Sequence, residues 1–187
     1  MNEKYIKKLE LNKIIDILSS YCITEVGKNF LHDIEPSNNK LIVKHLLSET
    51  TQARSLISQS GNLPIADIHD FNIISKLLKS DIALSCGNLL NVGHILKISR
   101  NLKSYFSSVD DVSKYDSIEN YFDNLYTNID LENTIFKSIL DENTVADEAS
   151  PALASLRRKK RNLEASIKDN LNKLIHSSTY SKYIMDP

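Results

Sequence analysis

The sequence predicts an all-α protein, a multi-helix core domain followed by one long projecting helix. Three observations carry that reading. Glycine and proline, the residues that punctuate turns and break helices, number only 4 each in 187 residues. Apolar residues recur at spacings of three and four in nearly every segment. No alternation of period two, the mark of a half-buried strand, persists for more than a few residues.

The first element lies within 9–21, where Ile14, Ile17, Leu18 and Tyr21 keep the spacing of one helical face. Thr24 is placed to cap a second, short helix that turns Val26, Phe30 and Leu31 inward and stops at Pro36. A longer helix is expected from Ser37 to about Gln59, with Leu41, Ile42, His45, Leu46, Ala53, Leu56 and Ile57 on its apolar side and Gly61 as its C-terminal cap. Residues 62–68 read as an extended connector, because Pro64 pushes Leu63 out of the helical region. A helix through Phe71, Ile74, Leu77 and Leu78 follows. Ser85 is placed to cap the next one, from Cys86 to Ser107, which Gly87 and Gly93 should weaken by about 1 kcal/mol each relative to alanine. Two short helices are expected near 117–126 and 130–140, then an irregular polar stretch to Ala149. Ser150-Pro151 is the sharpest local signal: an N-cap followed by proline at the first helical position, where its missing N–H costs nothing. A helix from Pro151 to His176 would be roughly 40 Å long. Its stripe of Leu153, Leu156, Leu163, Ile167, Leu171 and Leu174 is as narrow as a coiled-coil seam and is interrupted by Lys160. Such a stripe suits packing along one partner helix or projection from the domain. The expected division is therefore a helical core over 1–144 and an arm over 145–187.

A net charge of −1 points to neither a nucleic-acid nor a membrane-surface specialist, but it hides an asymmetry. Residues 108–148 contain eleven acids and two lysines, a net of −9, whereas 157–173 contain seven cations and two acids, a net of +5. Cys22 and Cys86 lie 64 residues apart without a CxxC motif and read as two buried thiols of a reducing compartment. No secretory leader and no apolar run of membrane-spanning length is evident, so a cytoplasmic protein is expected.

The chemistry-bearing motifs are conspicuous by what is missing. The phosphate-cradling GxxxxGK[ST] loop does not occur, nor do HExxH, CxxC or GxSxG, which argues against a catalytic domain. Asp67-x-His69-Asp70 could offer ligands to a divalent metal, but it reads more simply as a cap with acids in the first turn. His45, on an apolar stripe, reads as a satisfied core residue, and His32, His94 and His176 have no evident partner. The basic run Arg157, Arg158, Lys159, Lys160 and Arg161 has two readings. It is a solvated collar on an exposed helix, paired in part with Glu164 and the acidic block, or a non-specific contact for a phosphate backbone. No aromatic residue is interleaved with it, so base stacking is not indicated.

Several stretches, in order, resemble the N-terminal region of the type II MutS family. They are Leu9-Glu10-Leu11-Asn12-Lys13-Ile14, Tyr21, Thr24-Glu25-Val26-Gly27-Lys28 and Pro36-Ser37, then Ser48-Glu49-Thr50-Thr51-Gln52-Ala53, Gly61-Asn62-Leu63-Pro64 with Asp67-Ile68, Ala149-Ser150-Pro151-x-Leu153, and Tyr183-Ile184-Met185-Asp186-Pro187. The resemblance implies a helical core and long lever helices leading to a clamp, with a dimerising ATPase domain further along that takes ATP and Mg. In many members a small Smr nuclease domain follows. It also implies a homodimeric parent that binds branched DNA and restrains recombination, or acts on stalled ribosomes through rRNA, with no membrane partner. No catalytic, cofactor or metal residue is carried onto this chain, since those positions would lie beyond Pro187. The Phe-x-Glu motif of true mismatch-repair MutS does not occur, so mismatch recognition is not expected. The function expected is a non-catalytic core and lever, with a stand-alone helical protein-interaction module as the alternative.

Overall fold

The structure, a computed structural model, describes residues 8–66, 71–80 and 82–177. Among the described residues the architecture is all-α: α1 (Leu11–Tyr21), α2 (Glu25–His32), α3 (Lys40–Ser60), α4 (Phe71–Lys79), α5 (Cys86–Ser107), α6 (Asp116–Asp123), α7 (Ile129–Ser138) and α8 (Pro151–Ile175). A 3₁₀ turn at Val112–Tyr115 leads into α6, and another at Asp147–Ala149 leads into α8. The stretch after α7 is not irregular. Helix ends at Ser138, and β1 (Ile139–Asp141) pairs antiparallel with β2 (Thr144–Val145). The Asp141 carboxylate accepts from the Asn143 N–H at 2.8 Å and closes this small hairpin, a turn that asparagine and aspartate favour.

Local chemistry sets most of the boundaries. Thr24 accepts from the Gly27 N–H at 3.1 Å and starts α2. The cap of α3 is Asn39 rather than Ser37: Asn39 accepts from the Leu41 N–H at 2.9 Å, while Ser37 accepts from Asn39 one step earlier at 3.2 Å. Gly61 closes the helix with φ 83°, a left-handed conformation in which an added Cβ would be strained. Ser85 and Asn128 cap α5 and α7 through the N–H groups of Asn88 and Leu131. Ser150 occupies the cap of α8, but its side chain makes no capping hydrogen bond, so Pro151 carries that start alone. α6 has no cap of its own. Gln52 of α3 supplies one, accepting from the Ser117 N–H at 2.9 Å and donating to the Asp116 carboxylate at 2.6 Å, with Ser48 and Ser117 bonded hydroxyl to hydroxyl at 2.9 Å.

Among the described residues the buried apolar side chains fall between Leu56 and Ala146. Leu56, Phe106, Tyr115 and Ile118 join α3, α5 and α6, with Ala53, Val109, Val112 and Phe122 packed around them. Phe106 stacks on Phe122 with centroids 4.2 Å apart and meets the edge of Tyr115, whose hydroxyl donates to Gln59 at 3.0 Å. α5 and α7 also pack on one another, and Leu96 and Ile98 of α5, Ile135 of α7 and Ile139 of β1 are buried. Gly93 has a use there. A Cβ on it would sit 3.1 Å from Ile135 and 3.2 Å from Phe136, so its loss of helix propensity is exchanged for close approach of the two helices. Arg100 reaches across the same interface and holds Glu132 with both prongs, at 2.9 and 2.8 Å. The side chain of Glu132 is only 6% exposed.

Three expectations change. His45 is not a core residue: its side chain is largely exposed and faces Glu49 at 3.2 Å, one turn along α3. His94 does have a partner, an edge-on contact with Phe136 at 5.2 Å. Cys22 and Cys86 are free thiols but only partly buried. α1 and α2 pack on one another, yet neither contains a buried residue.

Candidate nucleic-acid interface

The site is built on the junction between the core and α8. Ala146, 1% exposed, fixes the chain against the core, and its N–H donates to the Ser138 carbonyl at 2.8 Å. The 3₁₀ turn Asp147–Ala149 then packs both on α7 and on the start of α8. From there α8 runs 25 residues with none buried, a length of roughly 38 Å. Its stripe stands open: Leu156, Leu163, Ile167, Leu171 and Leu174 are all exposed.

The five cations of the basic run separate into distinct environments. Arg157 turns back to the junction, where one nitrogen donates to both the Val145 carbonyl at 2.7 Å and the Asp147 carboxylate. Arg161 lies one turn further on, about 40° around the axis from Arg157. It approaches the other oxygen of Asp147 at 3.4 Å. Lys160 pairs loosely with Glu164 at 3.7 Å. Arg158 and Lys159 are exposed and make no hydrogen bond or ion pair among the described residues. The pairing with Glu164 and with the acidic block expected of a collar is present, and it leaves the outer cations toward solvent. The hydrogen bond from Arg157 holds the Asp147 carboxyl below the usual carboxylate range, with the charges of Arg157 and Arg161 adding to it and burial opposing it.

Asp147 is the residue that sequence reasoning missed. Its signal is faint: one acid among eleven, ten positions ahead of the first arginine of the run. Asp67, His69 and Asp70 lie outside the described residues. Among the described residues no group of three or more His, Cys, Asp or Glu side chains is disposed to hold a metal. No helix there is long and apolar enough to cross a membrane.

No family model matches the chain. Individual relatives match along all of it. The Endonuclease MutS2 of Acetivibrio thermocellus is 40% identical over 188 residues, that of Ruminiclostridium cellulolyticum 36% over 186, and that of Clostridioides difficile 33% over 187. In each case the match covers 100% of this chain and 24% of the relative, so the chain spans about a quarter of the length of the curated relatives it matches. With a helical fold and a full-length match at these identities, the chain belongs to the type II MutS family and corresponds to the N-terminal part of its members.

Proposed function

We propose that this chain is the non-catalytic core and lever of a MutS-like ATPase, residues 1–144 forming the core domain and 145–187 the arm that leads toward a clamp. In the whole protein, ATP and Mg would be bound outside this stretch, and the arm would carry the nucleotide state of a homodimer to a clamp on branched DNA or on rRNA. The name endonuclease borne by the relatives supports a nucleic-acid-cutting parent. The observation that carries the reading is α8: 25 residues anchored at one end to the core, with none buried and, among the described residues, an exposed apolar seam. Arg158 and Lys159 are the cations best disposed to meet phosphate, with Arg161 beside them.

The purified chain is expected to hydrolyse no ATP and cut no DNA. Nucleotide-dependent turnover by this chain would overturn the proposal. Binding to a DNA duplex should be independent of sequence and steeply salt-dependent, each lost phosphate contact lowering the slope of log affinity against log salt by about 0.9. Arg158→Glu with Lys159→Glu is the informative pair, because neither residue has a hydrogen bond or ion pair to lose among the described residues.

The open seam also favours a second reading, an interaction module that docks an amphipathic partner helix along Leu156, Leu163, Ile167 and Leu171. A stable protein partner, with no affinity for nucleic acid in this chain, would select it.

A further inference from the structure

Asp147 places two of the five cations in a bind. Arg157 and Arg161 occupy the same face of α8, and both are directed at one carboxylate, one on each oxygen. A carboxylate held between two guanidinium groups occupies the place that a phosphate diester would take on them. All three side chains remain accessible to solvent, at 35% exposure for Arg157, 63% for Arg161 and 40% for Asp147, so an external anion can reach them. The same carboxylate sits in the turn that joins the core to α8. Along the described part of the chain, that turn is the element against which α8 packs most extensively. The contact that pairs two cations of the collar therefore also ties the first turns of α8 to the turn that joins it to the core.

We propose that Asp147 is an internal counter-anion that couples nucleic-acid binding to the arm: a phosphate backbone that takes Arg157 and Arg161 displaces Asp147, and the arm is released from the core. This rests on the phosphate contact proposed above and adds its regulation. Arg157 is the positioning residue, since it also holds the Val145 carbonyl at 2.7 Å, whereas Arg161, at 3.4 Å, exchanges first. Arg158 and Lys159, already unpaired, make the first encounter.

The test is a distance measurement between spin labels on Asn133→Cys of α7 and Asn170→Cys of α8, both exposed positions, in a Cys22→Ser, Cys86→Ser background. Without nucleic acid the distance distribution should be narrow. A short DNA duplex at low salt should broaden or shift it, and Asp147→Asn should broaden it without DNA while tightening DNA binding several-fold. Arg157→Lys, which keeps the charge but not the guanidinium that meets both the Val145 carbonyl and Asp147, should broaden it as well, and serves if the aspartate variant folds poorly. If DNA binds and the distribution stays narrow, or if both variants stay narrow, the coupling is wrong while the phosphate contact stands. If DNA binds neither the parent nor Asp147→Asn, the contact fails and the coupling with it.

Discussion

From the second half of α3 to the hairpin, apolar stripes meet one another: Leu56, Ile74, Tyr115 and Ala146 are each 1% exposed. Before and after that stretch the same helical spacing leads nowhere. Phe30 of α2 is 69% exposed, Leu41 at the start of α3 77%, and Leu163 of α8 65%. The difference is not in amphipathicity, which α1 and α2 have in full. It lies in the supply of partners, because an apolar face can stabilise a fold only by about 25 cal/mol for each Å² that another surface covers.

Core truncation should separate the regions most sharply. Phe106→Ala removes a ring stacked on Phe122 and is expected to cost about 3–5 kcal/mol in urea unfolding. Leu56→Ala should follow at about 2–5 kcal/mol, since its side chain is fully enclosed. A cost below 1 kcal/mol at either would mean that the middle is no better packed than the flanks. The Arg100–Glu132 pair adds a pH dependence. The hydrogen bonds and charge of Arg100 hold the Glu132 carboxyl below its usual range, so its contribution is present above the ordinary carboxylate range and lost as pH falls through the lowered value. Melting of the parent and of Glu132→Gln should therefore differ at neutral pH and converge in acid; a gap independent of pH would remove the pair from the account. Tyr115→Phe gives up one hydrogen bond to Gln59 and should cost about 1 kcal/mol. At the far end of the scale, Leu163→Ala on α8 should stay within about 0.5 kcal/mol. Amide exchange gives the same ranking without mutation: α1 and α2 should exchange well before α5.

How far the sequence could be read follows the same division. Thr24, Ser85 and Gly61 announced their caps because a single side chain or a single φ decides each one. The helices were legible because their spacing is local. What was not legible required knowing which surfaces meet. His45 shares a stripe with Leu41 and Leu46, but that part of α3 has no cover, so it lies in solvent beside Glu49. The hairpin after α7 escaped notice because two paired segments of three and two residues are too short for alternation to register. In the basic run the residue types were plain, while the assignment of Arg157 and Arg161 to Asp147 depends on a turn that brings residues ten and fourteen positions apart together.

The borrowed cap of α6 has a consequence for how the molecule assembles. An eight-residue helix is too short to persist alone in water. The N–H of Ser117, its second residue, is satisfied by Gln52, 65 positions earlier in the chain. That bond cannot form until α3 has folded and α6 has been delivered to it, so α6 gains order only together with the long-range closure that buries Leu56 against Phe106 and Tyr115. Closing a span of that length costs chain entropy before the contacts it makes can offset it, so the cap and the packed middle stand or fall together.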